Sequence, residues 1–518
     1  MFHSGAHVHA GLPPVRDGDE LSQPLEPGDK QAFWDNLHAN ARKDGGSGSG
    51  RGKLASRDSE QEIGKLCQLT AEIVDKKAHK GTVSLSYRTQ QFSAIYEQLD
   101  MSARWEFLKR LAHDFCATKG AAAEAAERYL KGLQESSDPA TSAPQARALR
   151  DALTAQYAEL FDQINRLPGG FAFLVHMRGD MLACMRQATV RDPAMRAMSD
   201  VLQRKFETWI IGTLDLKRIT WNSPAYTIEK LGQYESVHAV RSWLDVKRRL
   251  GNGRRCFGFF HRSVPMEPLV FVWVALGSQI SSSVQSILDE REPSPPAAED
   301  AAQCAVFYSI NSQPGLSGVD LGNFLIKRVV GVLRAELPSI REFCTLSPIP
   351  GFRTWLDKWL SSDCLATPPV IGLAAEEQQQ LQARVPEAQT WTQALKALVD
   401  SRGWTSDQAN LDAMEPVLRL LAAHYLMHSK RGSGHFAMDP VANFHLRNGA
   451  CLHRINWRGD TSYRGLRQSL GLMVNYNYVL DSIEQNNERY VADGTIAISG
   501  SDPFILRARQ AAQPNAKL

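Results

Sequence analysis

The densest collection of reactive side chains in the sequence lies at 435–457, His-Phe-Ala-Met-Asp-Pro-Val-Ala-Asn-Phe-His-Leu-Arg-Asn-Gly-Ala-Cys-Leu-His-Arg-Ile-Asn-Trp. It brings together His435, His445 and His453, the asparagines Asn443 and Asn448, and an Asp-Pro break. A buried polar side chain needs a partner, so such a stretch is expensive as plain core. An imidazole titrates near neutrality, which suits His445 to general acid or base work. A lone histidine beside an apolar strand is more often a satisfied core residue. Asn443 and Asn448 bring the two readings level.

Three other stretches carry possible chemistry. Residues 309–328 run from a strand through Gly315, Gly318 and Gly322 into a helical pattern. Glycine lets the backbone approach a ligand closely, and a helix start presents unpaired N–H groups to an anion. The stretch lacks the Gly-Lys-Ser/Thr of a Walker loop and fits no Gly-x-Gly-x-x-Gly fingerprint. Its spacing resembles the pyrophosphate loop of the acetyltransferase-like fold that binds coenzyme A. A tight turn with Asp320 or Asn323 as helix cap explains it as well. Ser347 is followed by Pro348-Ile-Pro-Gly351, a rigid turn that suits a hydroxyl aimed at a ligand carboxylate or at a proton relay. From spacing alone, a local capping hydroxyl is the better reading. In 473–479, Met-Val-Asn-Tyr-Asn-Tyr-Val, a tyrosine can turn its hydroxyl into a pocket or simply fill the core.

The elements that must hold these residues divide at about 235. Residues 1–58 have few periodic apolar positions and include Gly-Ser-Gly-Ser-Gly at 46–50; they read as a flexible tail with one short helix near 31–42. From 59 to 235 apolar residues recur at three- and four-residue steps, as in Trp105, Leu108, Leu111 and Phe115. A helix beginning at Asp192-Pro193 carries Met195, Met198, Leu202 and Phe206. Helices are also expected at 121–133 and 146–166, separated by Pro139 to Pro144. From 236 to 518, strands at 255–261, 268–276, 305–310 and 452–457 alternate with helices at 323–337, 376–383, 390–401, 415–429 and 466–484. The fold class expected is α+β: a helical bundle followed by a mixed α/β domain.

Composition limits the function. At 518 residues the chain exceeds one ordinary core. With 43% hydrophobic residues, 22% charged residues and a net charge of +3, it offers a polyanion such as nucleic acid no general attraction. Eight scattered cysteines form no Cys-x-x-Cys pair and no zinc spacing, which points to reduced thiols in the cytoplasm and to no structural metal. The run at 268–276 is too short to span a bilayer. The terminal Ala516-Lys-Leu518 resembles a peroxisomal address, the alternative location if the source is eukaryotic.

Taken together, 307–310 (Phe-Tyr-Ser-Ile), 315–330, 346–352, 439–450 and Arg454-Ile-Asn-Trp457 resemble the malonyl-CoA decarboxylase family. The likeness is strongest over about 250–480, continues more weakly from about 90, and does not cover the first sixty residues. It implies a helical N-terminal domain joined to an acetyltransferase-like (GNAT) catalytic domain. It implies conversion of malonyl-CoA to acetyl-CoA and CO2 without metal or organic cofactor, while the helical pattern itself reads as a scaffold or as the subunit contact of a homo-oligomer. It implies His445 and Ser347 as the catalytic pair, with His445 donating a proton and Ser347 orienting the carboxylate or relaying the proton. Ser317, Gly318, Val319, Asp320, Leu321, Gly322, Asn323, Asn443 and Tyr478 are the substrate-binding residues implied. Animal members of the family carry glutamate where Asp320 stands, one methylene longer. Two other activities suit the same residues: an acyl-CoA-dependent N-acyltransferase, and a CoA-binding scaffold without catalysis.

Overall fold

The computed structural model describes residues 55–75, 82–135, 139–210, 212–289, 299–361, 372–401 and 403–511. The expected tail with its short helix, Cys364 and the terminal tripeptide lie outside the described residues. A helical region is followed by a mixed α/β sheet domain.

The helical region runs through Met101–Asp114, Gly170–Gln187 and Pro193–Ile210, whose apolar stripes form one core with Leu108, Leu111, Met177, Leu202 and Phe206. Two expectations need correction. Helix Pro139–Leu153 starts at the first proline and holds Pro144 inside it, so 139–144 does not separate helices. The stretch 146–166 breaks after Leu153, and a new helix, Tyr157–Asn165, begins.

Eight strands form one sheet: β1 (Leu214–Ile219), β2 (Arg254–His261), β3 (Val270–Gly277), β4 (Cys304–Ser312), β5 (Glu342–Thr345), β6 (Ser347–Pro348), β7 (Cys451–Asn456) and β8 (Met473–Asn477). Their order is β1-β2-β3-β4-β5-β8-β6, with β7 also on β8. All pairs are antiparallel except β4 with β5. β1 falls within the stretch read as helical. Its Leu-Asp-Leu-Lys-Arg-Ile alternation is that of an edge strand with one face in water. The 466–484 helix is overturned more completely. Helix Tyr463–Ser469 stops at Leu470 and Gly471, both left-handed at φ 55 and φ 81. β8 then enters the middle of the sheet, buried along its whole length. Likewise the helix expected from 415 begins at Gln408 under an Asp407 cap, and Pro416 lies inside it.

The two faces of the sheet bury separate cores. Phe257, Val272, Ala305 and Phe307 join the helices of the larger core, whereas Cys256, Trp273, Val306 and Tyr308 close the smaller one. This alternation follows from the two-residue period of a strand. The feature that makes room for a site is the parting of β4 from its parallel neighbour. Their pairing ends at Phe307 and Thr345. β4 continues to Ser312, while the other chain bends at Leu346 and pairs Ser347 with Val474 of β8.

Candidate active site

A cavity of about 620 Å³ occupies that parting. Tyr308, Ser309 and Ile310 line it from β4, Ser347 and Pro348 from the bend, and Gly318 to Asp320 with Gly322 from the glycine loop. Asn443, Phe444 and His445 line it from helix Pro440–Arg447.

That short helix is locally well specified. Asp439 is its N-cap, accepting from the N–H groups of Val441 (3.0 Å) and Ala442 (2.9 Å), and Pro440 takes the first helical position. A cap of this kind is worth about 1 kcal/mol. The second carboxylate oxygen of Asp439 accepts from the N–H of Gly351 at 3.4 Å, so one buried side chain joins the His445 helix to the turn after Ser347. Burial pushes the Asp439 carboxyl above its ordinary range.

Ser347 and His445 meet in the cavity wall, with Ser347 Oγ 3.1 Å from His445 Nε2. Ser347 Oγ donates to Thr345 Oγ1 at 2.9 Å, and that oxygen also accepts from the N–H of Tyr476 at 3.1 Å. On the other side of the ring, His445 Nδ1 lies 2.9 Å from the Tyr478 hydroxyl. The tautomer follows from these contacts. Burial, with the Asp320 carboxylate as a lesser cause, raises the Tyr478 phenol well above its ordinary range, so it keeps its proton. Ser347 spends its one hydroxyl proton on Thr345, so it accepts from Nε2–H, and the remaining ring nitrogen, Nδ1, accepts from the Tyr478 hydroxyl. Burial also lowers His445 to about 3, so the ring is neutral at physiological pH. The array is a polarised chain, Tyr478 to His445 to Ser347 to Thr345. The ring of Tyr476 stacks on His445 at 4.7 Å and 27°, and Phe444 meets it edge-on at 5.0 Å.

The glycine loop forms another part of the cavity wall. Gly318 has φ +86, open to glycine at little cost. A Cβ on Gly322 would come within 2.7 Å of Phe444, so only glycine lets the loop helix pack against the His445 helix. That helix, Leu321–Glu336, starts behind Asp320, whose side chain makes no cap bond.

Of the residues singled out in the sequence, Ser347, His445, Gly318, Val319, Asp320, Gly322 and Asn443 line the cavity. Asn443 Oδ1 accepts from Tyr490 at 3.0 Å. Tyr478 stands behind His445, outside the cavity lining. Ser317 and Leu321 are outside that lining too; the Ser317 carbonyl accepts from Arg178, and Leu321 is buried. Asn323 lies in the first turn of the loop helix, and its side chain falls outside the described residues. His435 pairs with the Val491 carbonyl and His453 with Ser499, both away from the cavity. His428, Lys430 and Arg431 also lie outside its lining. Thr345, Asp439 and Tyr476 also belong to the site; sequence reading assigns Thr345 no role and Asp439 only that of a chain break, and it leaves Tyr476 within a stretch where either tyrosine could serve. Thr345 had a usable signal, since residues two apart on a strand share a face. Among the described residues no group of histidine, cysteine and acidic side chains is placed to hold a metal, and no helix is long and apolar enough to cross a membrane.

A helical region feeding a mixed α/β sheet domain, with a Ser–His pair in the parting of its parallel strands, is a specific combination, and comparison with known proteins places it. Residues 212–515 match the family model "Malonyl-CoA decarboxylase C-terminal domain", and residues 115–210 match "Malonyl-CoA decarboxylase N-terminal domain". "Malonyl-CoA decarboxylase, mitochondrial" from Anser anser anser is 40% identical over 437 residues, 83% of this chain and 85% of the relative. The Rattus norvegicus protein of the same name is 38% identical over 444 residues, covering 82% and 86%. The solved structure of malonyl-CoA decarboxylase from Rhodopseudomonas palustris superposes with a TM-score of 0.72 at 35% identity, over 86% of this chain and 99% of that one. The Agrobacterium vitis structure gives 0.70 at 33%, over 88% and 100%. The chain belongs to the malonyl-CoA decarboxylase family.

Proposed function

We propose that the protein decarboxylates malonyl-CoA to acetyl-CoA and CO2, with the Ser347–His445 pair at the reacting carbons. The observation that carries this reading is the Tyr478–His445–Ser347 chain opening into a cavity that the glycine loop also lines. Loss of CO2 leaves a thioester enolate, whose oxygen hydrogen-bond donors stabilise by roughly 3–4 kcal/mol each, the scale of single oxyanion-hole donors. The chemistry therefore makes no demand for a metal or organic cofactor. A thioester enolate is a far stronger base than imidazolate, so a neutral Nε2–H is acidic enough to protonate C2. Tyr478 on Nδ1 can return a proton to the ring as Nε2 gives one up. Ser347 either orients the departing carboxylate or passes the proton on. The net reaction consumes one proton, drawn finally from solvent.

The neutral ring favours this reading over N-acyl transfer. That reaction needs a base to strip an ammonium group, and an imidazole held near 3 accepts protons poorly at neutral pH. Incubation with malonyl-CoA, with acetyl-CoA and CO2 as readouts, tests the proposal. Release of CoA only when an amine is added would favour transfer, and binding without product would favour a scaffold.

In the same reading the glycine loop, including Ser317, Leu321 and Asn323, binds the substrate's diphosphate, and Tyr478 serves by holding His445. Self-association through the helical region is supported by the exposed Val83, Tyr87, Leu130 and Leu133; light scattering on the purified chain tests it. A reducing compartment, the cytoplasm, suits the seven free thiols among the described cysteines; fractionation of the source cell decides.

A further inference from the structure

The carbonyl side of the glycine loop is held by the helical region. Arg178, 2% exposed on helix Gly170–Gln187, donates from Nη1 to the carbonyls of Gly315 (2.6 Å) and Ser317 (2.9 Å). Its Nη2 donates to Gln203 Oε1 at 2.8 Å, and its Nε to the Ser199 carbonyl at 3.2 Å. Gln203, on helix Pro193–Ile210, in turn donates to the Gly318 carbonyl at 2.9 Å and to Glu207 at 3.1 Å. The backbones are in direct contact as well: a Cβ on Gly315 would lie 1.8 Å from the Val175 carbonyl oxygen.

This network has a geometric consequence. A trans peptide is planar, with its C=O and the following N–H pointing in opposite directions. Arg178 holds the Ser317 carbonyl, and so sets the direction of the Gly318 N–H. The N–H groups of Gly318 and Asp320 meet no acceptor among the described residues, and both residues line the cavity. Gln203 and Glu207 line it too.

We propose that Arg178 and Gln203 are positioning residues that turn the loop's N–H face toward the diphosphate of a coenzyme A thioester, so that the helical region completes the substrate site. The proposal rests on the acyl-CoA reading above. The test compares malonyl-CoA with malonyl-pantetheine, which keeps the reacting thioester and lacks the diphosphate. Gln203→Ala is half-buried at the cavity edge and leaves the core intact; Arg178→Lys is the second variant. With each, kcat/KM for malonyl-CoA is expected to fall about tenfold, mostly in KM, the scale of one misdirected hydrogen bond. Malonyl-pantetheine is expected to change less than about twofold, since it never meets the loop's anion site. Equal losses on both substrates would mean general damage and overturn the proposal, as would no loss on either. A wild-type protein that decarboxylates neither thioester refutes the acyl-CoA reading itself, before any variant is compared.

Discussion

The protonation state of His445 can be tested through stability, independently of turnover. The ring is 3% exposed, and burial lowers its pKa from 6.5 to about 3. The sign follows from linkage. Between these values the unfolded chain binds a proton that the folded chain refuses, so stability is lost as pH falls. At pH 7.5 both forms are neutral and nothing is lost. At pH 5.0 the unfolded residue is mostly protonated and the folded one is not, and the difference amounts to about 2 kcal/mol. His445→Gln removes the titration and puts a neutral amide, still able to hydrogen-bond, in place of the ring. Urea unfolding of wild type and variant at pH 7.5 and 5.0 should therefore show the wild-type stability falling by about 2 kcal/mol more than that of the variant. The histidine Cε1 resonance that disappears in the variant should remain that of a neutral ring at pH 5.0. A stability difference that stays flat between the two pH values would mean that His445 is solvated and titrates normally, and the polarised chain would fall with it.

Three substitutions probe the supports of the pair. Tyr478→Phe removes the donor to Nδ1 and leaves a buried ring nitrogen unsatisfied; kcat should fall by roughly 10- to 100-fold, with stability lowered by about 1–3 kcal/mol, measured by steady-state kinetics and urea unfolding. Gly322→Ala forces a methyl to within 2.7 Å of Phe444, beside His445; about 1–3 kcal/mol of stability and most activity should be lost, whereas Gly331→Ala on the same helix meets nothing within 4 Å and should keep activity and gain up to about 1 kcal/mol of stability. Asp439→Ala unties the Ser347 turn from the His445 helix and removes its cap, and should lower the unfolding free energy by about 1–2 kcal/mol while also slowing turnover.

How far the site was legible depends on the range of the interaction that builds it. The glycine loop could be read because its function lies in backbone freedom, which Gly315, Gly318 and Gly322 advertise. The turn after Ser347 declares its rigidity through two prolines. His445 drew notice through its polar neighbours, although its helix did not: Asp439-Pro440 obeys the same rule as Asp192-Pro193 and starts a helix in the same way. The largest miss, the helix expected over 466–484, came from apolar positions that suit either period. The left-handed Leu470 and Gly471 break it, and β8 then places Tyr476 and Tyr478 on one face against His445. Nothing local pairs Arg178 with Gly315, 137 positions apart. That contact exists only because the helical region folds onto the loop.

The central claim is that Ser347 and His445 act together on a malonyl thioester. The most direct measurement is CO2 release from malonyl-CoA by wild type, Ser347→Ala, His445→Gln and the double variant. Residues that act as one unit are not additive. The account predicts that each single change lowers kcat by on the order of 100-fold or more, and that the double variant is little worse than the weaker single one. Wild-type rates from both single variants, or losses that multiply in the double, would contradict it.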